Sequence, residues 1–182
     1  MKQIFAMFLF LATISCSTGR KGTSHFKINV DSVFVESFAV ERLPEFKEIE
    51  KINIRDDQSF FEHELNQFSF HVFSVESFSD TIDIKIVLGK PKYPVVYDGE
   101  LKIVYLITVG QSGKQIDAIR VGKTEGVAGF DITETSMIEN NLIKRKSDEK
   151  RLNDEDGTVI HQLKSETFKI SNNGRIVFQP TL

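Results

Sequence analysis

Four histidines are the residues of this 182-residue chain best suited to ligate a metal ion: His25, His63, His71 and His161. No two of them have the spacing of ligands on one helical turn or on alternate positions of a strand. In Glu62-His63-Glu64, the three side chains would point in different directions on a helix. The spacing therefore predicts no metal site, and no motif indicates a cofactor.

Nucleophilic and acid–base chemistry has equally little support. The chain has one cysteine and no Gly-x-Ser-x-Gly motif, so neither a multi-cysteine zinc site nor a serine hydrolase elbow is predicted. Acidic pairs such as Asp80 with Asp83, or Glu134 with Glu139, do not identify an acid and a base without geometry. We expect no catalytic residues, and an envelope hydrolase with a dispersed active site remains the alternative.

Two polar segments resemble ligand loops and depart from them at decisive positions. A phosphate-binding loop would need Gly where Thr108 stands, and Ser or Thr where Gln115 stands, so residues 108–115 predict a hairpin turn. Residues 153–157 are rich in carboxylates, but a calcium loop built on their glycine would place leucines at its first and last ligand positions. A solvated turn is the better prediction there.

Tyrosines near a predicted turn offer the one candidate binding surface. Tyr93, Tyr97 and Tyr105 flank Asp98-Gly99, a pair typical of a hairpin turn. Aromatic rings at a sheet edge could bind a sugar or a peptide, although such residues more often cap the sheet. Prolines mark residues 90–97 as an edge, where strand addition by a partner is a further candidate.

Composition limits the class of protein. Apolar residues make up 40% of the chain and charged residues 27%, which predicts one globular domain and excludes a collagen-like, coiled-coil or wholly disordered chain. The net charge is −3, from 26 acidic and 23 basic side chains. This balance lacks the basic excess of a nucleic-acid-binding protein, so no nucleic-acid partner is expected.

The first sixteen residues have the pattern of an export signal. A positive Lys2 precedes an apolar run over residues 4–14, which is too short to span a bilayer and suited to a signal peptide. Thr13-Ile14-Ser15-Cys16 resembles a bacterial lipoprotein signal, although Thr13 stands where that family usually has Leu, Val or Ile. The resemblance implies a signal peptide over residues 1–15, acylation of Cys16 by palmitate or a similar chain, and a flexible tether over residues 16–25.

The pattern beyond residue 26 predicts a mostly β domain over residues 26–182. Residues 27–40 alternate as a strand, and two short helices are predicted at residues 44–52 and 59–68. From Phe68 the period is two, with strands predicted at residues 68–72, 82–88, 101–109, 116–121, 130–132, 137–144, 159–163, 168–170 and 176–178. Glycine-containing turns separate several of them, and residues 146–157 read as a polar surface loop. Such spacing predicts an antiparallel sheet or meander, sandwich-like or barrel-like.

The second half of the chain resembles uncharacterised Bacteroidetes envelope lipoproteins. The resemblance rests on "YLITVGQSGKQIDAIRVG" from Tyr105, "FDITETSMIENNLIKRK" from Phe130 and "ETFKISNNGRIVFQP" up to Pro180. It implies a β-rich protein held in the outer membrane through Cys16 and facing the periplasm. We therefore expect a non-catalytic binding or assembly module of the cell envelope, with membrane lipid as one partner and an envelope protein or a glycan as another.

Overall fold

The computed structural model describes residues 27–29, 43–45, 68–92, 101–127, 129–153 and 156–180. These residues form nine β-strands and no helix. The strands are β1 (Lys27–Asn29), β2 (Phe68–Ser79), β3 (Ile82–Pro91), β4 (Lys102–Gly110), β5 (Gln115–Val127), β6 (Phe130–Glu139), β7 (Leu142–Leu152), β8 (Val159–Ile170) and β9 (Ile176–Gln179).

The strands from β2 to β9 form an antiparallel meander, in which each strand pairs with its neighbours in sequence. β1 lies off this path and pairs with β6 at residues 137–139. Among the described strands, β2 and β9 end the sheet without pairing with each other. The prediction of a mostly β, antiparallel domain is confirmed, whereas the described sheet is open and does not close into a barrel.

Tight turns set the register of the meander. The turn after β4 closes with Gly113 at a φ of 75°, and the turn before β9 closes with Gly174 at a φ of 80°. Glycine adopts this left-handed conformation without the strain that a Cβ atom brings. Both turns were predicted from the sequence, at residues 111–114 and at Asn172-Asn173-Gly174, and both are confirmed.

β5 carries the sheet from its first half to its second. Its residues 115–124 pair with β4, and its residues 123–127 pair with β6. The register with β4 shifts by one residue at Val121, which is the position of a β-bulge. Hydrogen bonds then join the last hairpin to the start of β5: the Ile176 amide donates to Asp117 Oδ2, and Thr108 Oγ1 donates to the Gly174 carbonyl.

Apolar side chains form two clusters on opposite faces of the sheet. One cluster joins β3, β4 and β5 to the last four strands, and its members are Ile84, Ile86, Leu88, Val104, Leu106, Ile119, Val121, Ile138, Ile143, Phe168, Ile170 and Ile176. The other lies on β2 to β5 alone, with Phe68, Phe70, Val87, Ile103, Tyr105, Ile107, Val109 and Ala118. The first half of the meander is therefore buried on both faces, which is why β4 reads as an almost continuous apolar run.

Four predictions from β5 onward are wrong in the bounds that they gave. Residues 137–144 form a hairpin instead of one strand, because Asn140 turns the chain with a φ of 53°. Residues 146–152, predicted as part of a polar loop, belong to β7, where backbone pairing with β6 and β8 replaces burial as the source of order. Residues 159–163 and 168–170 belong to one strand, β8, and β5 continues through glycines that were expected to interrupt it.

The predicted short helices are not confirmed. Pro44 was expected to open the first helix, but its carbonyl accepts a hydrogen bond from the Val72 amide, and Glu45 forms an isolated antiparallel bridge with His71. Phe68, expected to close the second helix, is instead the first residue of β2. The rest of both helices, the signal peptide and the tether lie outside the described residues, as does the strand prediction beyond β1.

Candidate functional site

Only one of the three tyrosines predicted as a binding surface lies in the described part of the chain. Tyr105 is in the middle of β4 and is only 3% exposed. Its ring lies 6.1 Å from that of Phe70, inside the second apolar cluster. Because β4 is buried on both faces, Tyr105 cannot present its ring to a ligand at the surface, and its assignment to a binding surface is wrong. Tyr93 and Tyr97 lie outside the described residues, as does Cys16.

Of the predicted edge at residues 90–97, the structure describes residues 90–92. Lys90 and Pro91 are the last residues of β3, and they pair with Ser69 and Phe68 of β2. β3 lies between β2 and β4 as far as Gly89, and beyond it the described residues of β3 pair with β2 alone. Pro91 is tolerated there because the pairing of β3 with β4 ends at Gly89, so no hydrogen bond to β4 needs a Pro91 amide.

The two segments that resemble ligand loops both form hairpin connections. In the first, Gly110 donates its amide proton to the Lys114 carbonyl, so the backbone closes on itself and forms no anion cradle. In the second, Asp156 Oδ1 accepts hydrogen bonds from the amide and the hydroxyl of Thr158. These bonds hold the pKa of the Asp156 carboxyl below its ordinary value. The Asp156 carboxylate is thus engaged within its own turn, in the connection from β7 to β8.

The histidines that are described lie far apart in the sheet. A ring nitrogen of His71 lies 3.3 Å from the Leu43 carbonyl, and Nε2 of His161 lies 2.6 Å from Asp148 Oδ1 on the exposed surface of β7 and β8. Within the described ranges, no group of three or more His, Cys, Asp or Glu side chains could hold a metal ion. His25 and His63 lie outside those ranges.

A network of buried ion pairs is the main feature that the sequence did not predict. Arg120 of β5 donates two hydrogen bonds to Glu134 of β6, from Nε at 3.0 Å and from one terminal nitrogen at 2.9 Å. Arg145 of β7 donates to Glu166 of β8 at 2.6 Å and 3.1 Å. We call Arg120, Glu134, Arg145 and Glu166 the ion-pair network. Charge-assisted bonds of this two-pronged geometry are the strongest that these side chains make.

Arg145 connects the two pairs. Its Nη1 donates to the Arg120 carbonyl at 3.0 Å and lies 3.8 Å from Glu134 Oε1, and its guanidinium stands 4.9 Å from the centre of the Phe168 ring. The Arg145 side chain is only 6% exposed. One residue therefore satisfies charge, hydrogen bonding and packing across four strands, β5 to β8.

One acid of the network, Glu166, is held as an anion. Burial raises the pKa of the Glu166 carboxyl, but hydrogen bonds and charge from Lys164 and Arg145 outweigh that effect, so the pKa of Glu166 lies below its ordinary value. A second buried pair, Lys123 with Glu125, lies beside the network on β5 with 2.5 Å between its charged atoms. A general acid needs a carboxyl whose pKa is raised, and Glu166 has the opposite property. Glu166 is therefore poorly suited to donate a proton, and its contacts with Arg145 and Lys164 join neighbouring strand positions.

A sequence signal for the network does exist. Each of its carboxylates and Arg145 has the parity of a buried apolar residue nearby on its strand: Glu134 shares a face with Ile138, Arg145 with Ile143, and Glu166 with Phe168. Charges that repeat on the buried face of three successive strands indicate pairing across the sheet. The signal becomes readable only when the strand register is known.

The second feature is an uncovered strand edge. β9 pairs only with residues 167–170 of β8, so residues 159–166 have β7 on one side and no strand of the described residues on the other. We call residues 159–166 the β8 edge. Three large apolar side chains along it are exposed: Leu163 by 72%, Val159 by 65% and Ile160 by 52%. An exposed apolar edge strand is a ready template for pairing with another chain.

The other end of the meander differs in its protection. β2 carries two register shifts against β3, and on its open side Val72 donates to Pro44 while His71 bridges Glu45. Bulges and covering segments are the usual means by which a sheet edge avoids pairing with other chains. The β8 edge has neither among the described residues, since β7 and β8 pair without a register shift.

Comparison with known protein families, with curated proteins and with solved structures gives no match for this chain. Over the residues described, the chain has no helix of the length and apolar character required to cross a membrane.

Proposed function

We propose that this protein is a lipid-anchored module of a bacterial cell envelope, held in the outer membrane through Cys16, that binds or assembles with other molecules and does no chemistry. The observation that carries the binding role is the β8 edge, where apolar side chains and unpaired backbone groups face solvent together. The anchoring role rests on the lipoprotein-like residues 13–16.

The charge arrangement of the interior supports a non-catalytic role. The buried cations Arg120, Lys123 and Arg145 each contact a buried acid, namely Glu134, Glu125 and Glu166. A further buried acid, Asp117, accepts hydrogen bonds from the Ala118 and Ile176 amides, so the charge of all four acids is used within the sheet. A sheet fixed in this way provides a rigid support for an edge that docks to a partner.

Metabolic labelling tests the anchor. In cells that express the full chain with radiolabelled palmitate, we expect the label in the wild-type protein and none in Cys16→Ala, because only a thiol at this position takes the thioether and the acyl chains follow it. Ser17→Ala is the matched control, since it changes the next residue and keeps the thiol. Equal labelling of Cys16→Ala and wild type would refute the anchor.

Thiol reactivity tests the binding role. A Leu163→Cys variant should react several-fold more slowly with a thiol reagent in the intact envelope than in the purified protein diluted until it is monomeric, because a docked partner covers the β8 edge. Lys114→Cys, in the exposed turn after β4, should react at similar rates in both states. The modification is measured by mass spectrometry on the peptide that carries each cysteine. Equal rates at position 163 would argue against a docked partner.

A further inference from the structure

We infer that the β8 edge pairs with the β8 edge of a second copy of this chain, antiparallel about a two-fold axis, so that the two sheets become continuous. This inference deepens the assembly role proposed above by naming the partner. It is carried by the direction of the backbone groups of β8, by the order of its exposed side chains and by the lack of protection along the described edge.

The direction of the backbone groups follows from the neighbouring turns. The Ser171 amide donates to the Arg175 carbonyl toward β9, whereas the Ile170 amide donates to the Asn141 carbonyl toward β7. Peptide groups alternate along a strand, and the register of β7 with β8 is regular throughout. The amides and carbonyls of Val159, His161, Leu163 and Ser165 therefore all point away from β7, toward the uncovered side.

The order of side chains along the edge is self-complementary. Val159, His161 and Leu163 occupy every second position of β8 and therefore lie on the same face, with an apolar residue on each side of the histidine. In an antiparallel pair centred on His161, Val159 of each copy faces Leu163 of the other on the same face of the sheet. In this register the outward backbone amides and carbonyls of the two copies also face each other, at residues 159, 161 and 163. The backbone hydrogen bonds and the apolar contacts therefore require the same register.

The lysine of the edge does not oppose this pairing. Lys164 and Glu166 form an ion pair within one copy at 2.7 Å, and His161 contacts Asp148 of its own chain. In this register Lys164 faces Thr158 of the other copy, so no lysine meets a lysine, as would happen on an edge protected by lysines. A foreign strand could use the same hydrogen bonds, but it would need to bring the apolar pattern that a second copy already has.

Disulfide cross-linking tests the pairing in the full chain, purified in detergent. In a Cys16→Ser background, which removes the natural thiol, His161→Cys should form a disulfide-linked dimer under mild oxidation. Residues opposite each other in a hydrogen-bonded pair have Cα atoms about 5.5 Å apart, within disulfide range. Lys150→Cys is the control, because Lys150 faces His161 across the hairpin on β7, between β6 and β8, and should stay monomeric.

A charge exchange provides a second test that does not depend on oxidation. Leu163→Lys and Val159→Glu should each raise the dissociation constant of the dimer at least about tenfold in sedimentation experiments, since each removes two apolar contacts per dimer. A mixture of the two variants should recover the dimer, because the lysine introduced in one copy then faces the glutamate introduced in the other. The unfolding midpoints should match wild type, which shows that neither variant acts by unfolding the chain.

The outcomes separate this inference from the proposed function. Dimers from His161→Cys together with recovery in the mixed variants would support pairing through β8. A chain that stays monomeric at the highest attainable concentration, or cross-links equally through Lys150→Cys, would overturn it. If such a monomer still takes up palmitate and still shields residue 163 in the envelope, the edge belongs to a strand of another protein. The anchor and the binding role would then stand.

Discussion

β4 and β8 are strands of the same meander with opposite environments. All of β4 from Ile103 to Val109 is buried, whereas the first seven residues of β8 are exposed on both faces. β8 nevertheless begins with Val159 and Ile160, as apolar a start as that of β4. The comparison shows that apolar content does not by itself bury a strand: within the described sheet, β4 has strands on both sides and an apolar cluster on both faces, and the start of β8 has neither.

The ion-pair network marks the boundary between these two environments. On β7, Ile143 and Arg145 are buried and the residues that follow are increasingly exposed, and on β8 the change occurs at Glu166. The network closes the apolar core at that point with groups that tolerate partial hydration. Beyond it, β7 and β8 are joined by backbone pairing and by exposed side-chain contacts such as that of His161 with Asp148.

Breaking the network should have the largest effect on stability. Arg145→Ala removes a buried guanidinium that binds Glu166 and packs on the Phe168 ring. Lys164 still contacts Glu166 and Arg120 still contacts Glu134, so we expect a cost of about 3 kcal/mol. Arg151→Ala is the matched control on the same strand, because its side chain is 63% exposed, and it should cost less than about 0.5 kcal/mol. Urea unfolding measures both. Similar losses for the two arginines would show that the boundary does not lie at the network.

The next largest difference should be between the stability costs of Leu→Ala in β4 and Leu→Ala in β8. Leu106→Ala in β4 removes a side chain with no exposed surface and should cost about 2–4 kcal/mol. Leu163→Ala in β8 removes an exposed side chain and should change the free energy of unfolding of the monomer by less than about 0.5 kcal/mol. Denaturation at low protein concentration keeps association out of the measurement. A large loss at Leu163 would mean that the β8 edge is covered within one chain.

Alanine substitutions in two glycine turns should differ in stability cost by a smaller amount. Gly174→Ala combines a φ of 80° with a Cβ atom placed 2.9 Å from Ile116 Cδ1, so we expect a loss of about 1–3 kcal/mol. Gly157→Ala has a φ of 70° and no atom within 4 Å of the new Cβ, so its loss should come from the backbone alone, about 1 kcal/mol. Thermal unfolding compares them. Equal losses would show that the last hairpin does not pack against β5.

The smallest effect should appear in the pH dependence of Glu166. Its pKa is lowered in the folded chain, so its ionised form adds stability above the unfolded value near 4.3, and that stability disappears as the pH falls through the folded value. The difference in unfolding free energy between wild type and Glu166→Gln should therefore shrink below about pH 4.3. We expect less than about 1 kcal/mol in total because solvent reaches the carboxyl. A difference that grows toward low pH would contradict the sign.

Sequence patterns predicted the strands that are stabilised by burial, and they missed parts of the strands that are stabilised by pairing. The run ending at Val109 and the turn at Gly174 were readable because continuous apolar residues and Asn-Gly pairs have few alternatives. The turn at Asn140 lacks a glycine, and residues 146–152 lack a run of apolar side chains, so neither gave a local signal. Their order comes from strands on both sides, which is information about the whole sheet.

The functional features follow the same division. The candidate surface at Tyr105 was wrong because the sequence does not distinguish a tyrosine at a sheet edge from one in the core. The structure places Tyr105 in the second apolar cluster. The β8 edge was not predicted because its exposure depends on where β9 ends. The same holds for Arg145, whose partners come from three other strands.

The meander has a consequence for how the chain reaches its folded state. Because every strand from β2 to β9 pairs with its neighbour in sequence, each hairpin can close over a short loop as soon as its two strands exist, a low-contact-order route that favours fast folding. The pairing of β1 with β6 and the bonds from the last hairpin to Thr108 and Asp117 need distant residues. We expect them to form last, after the ribbon of hairpins has grown to its full width.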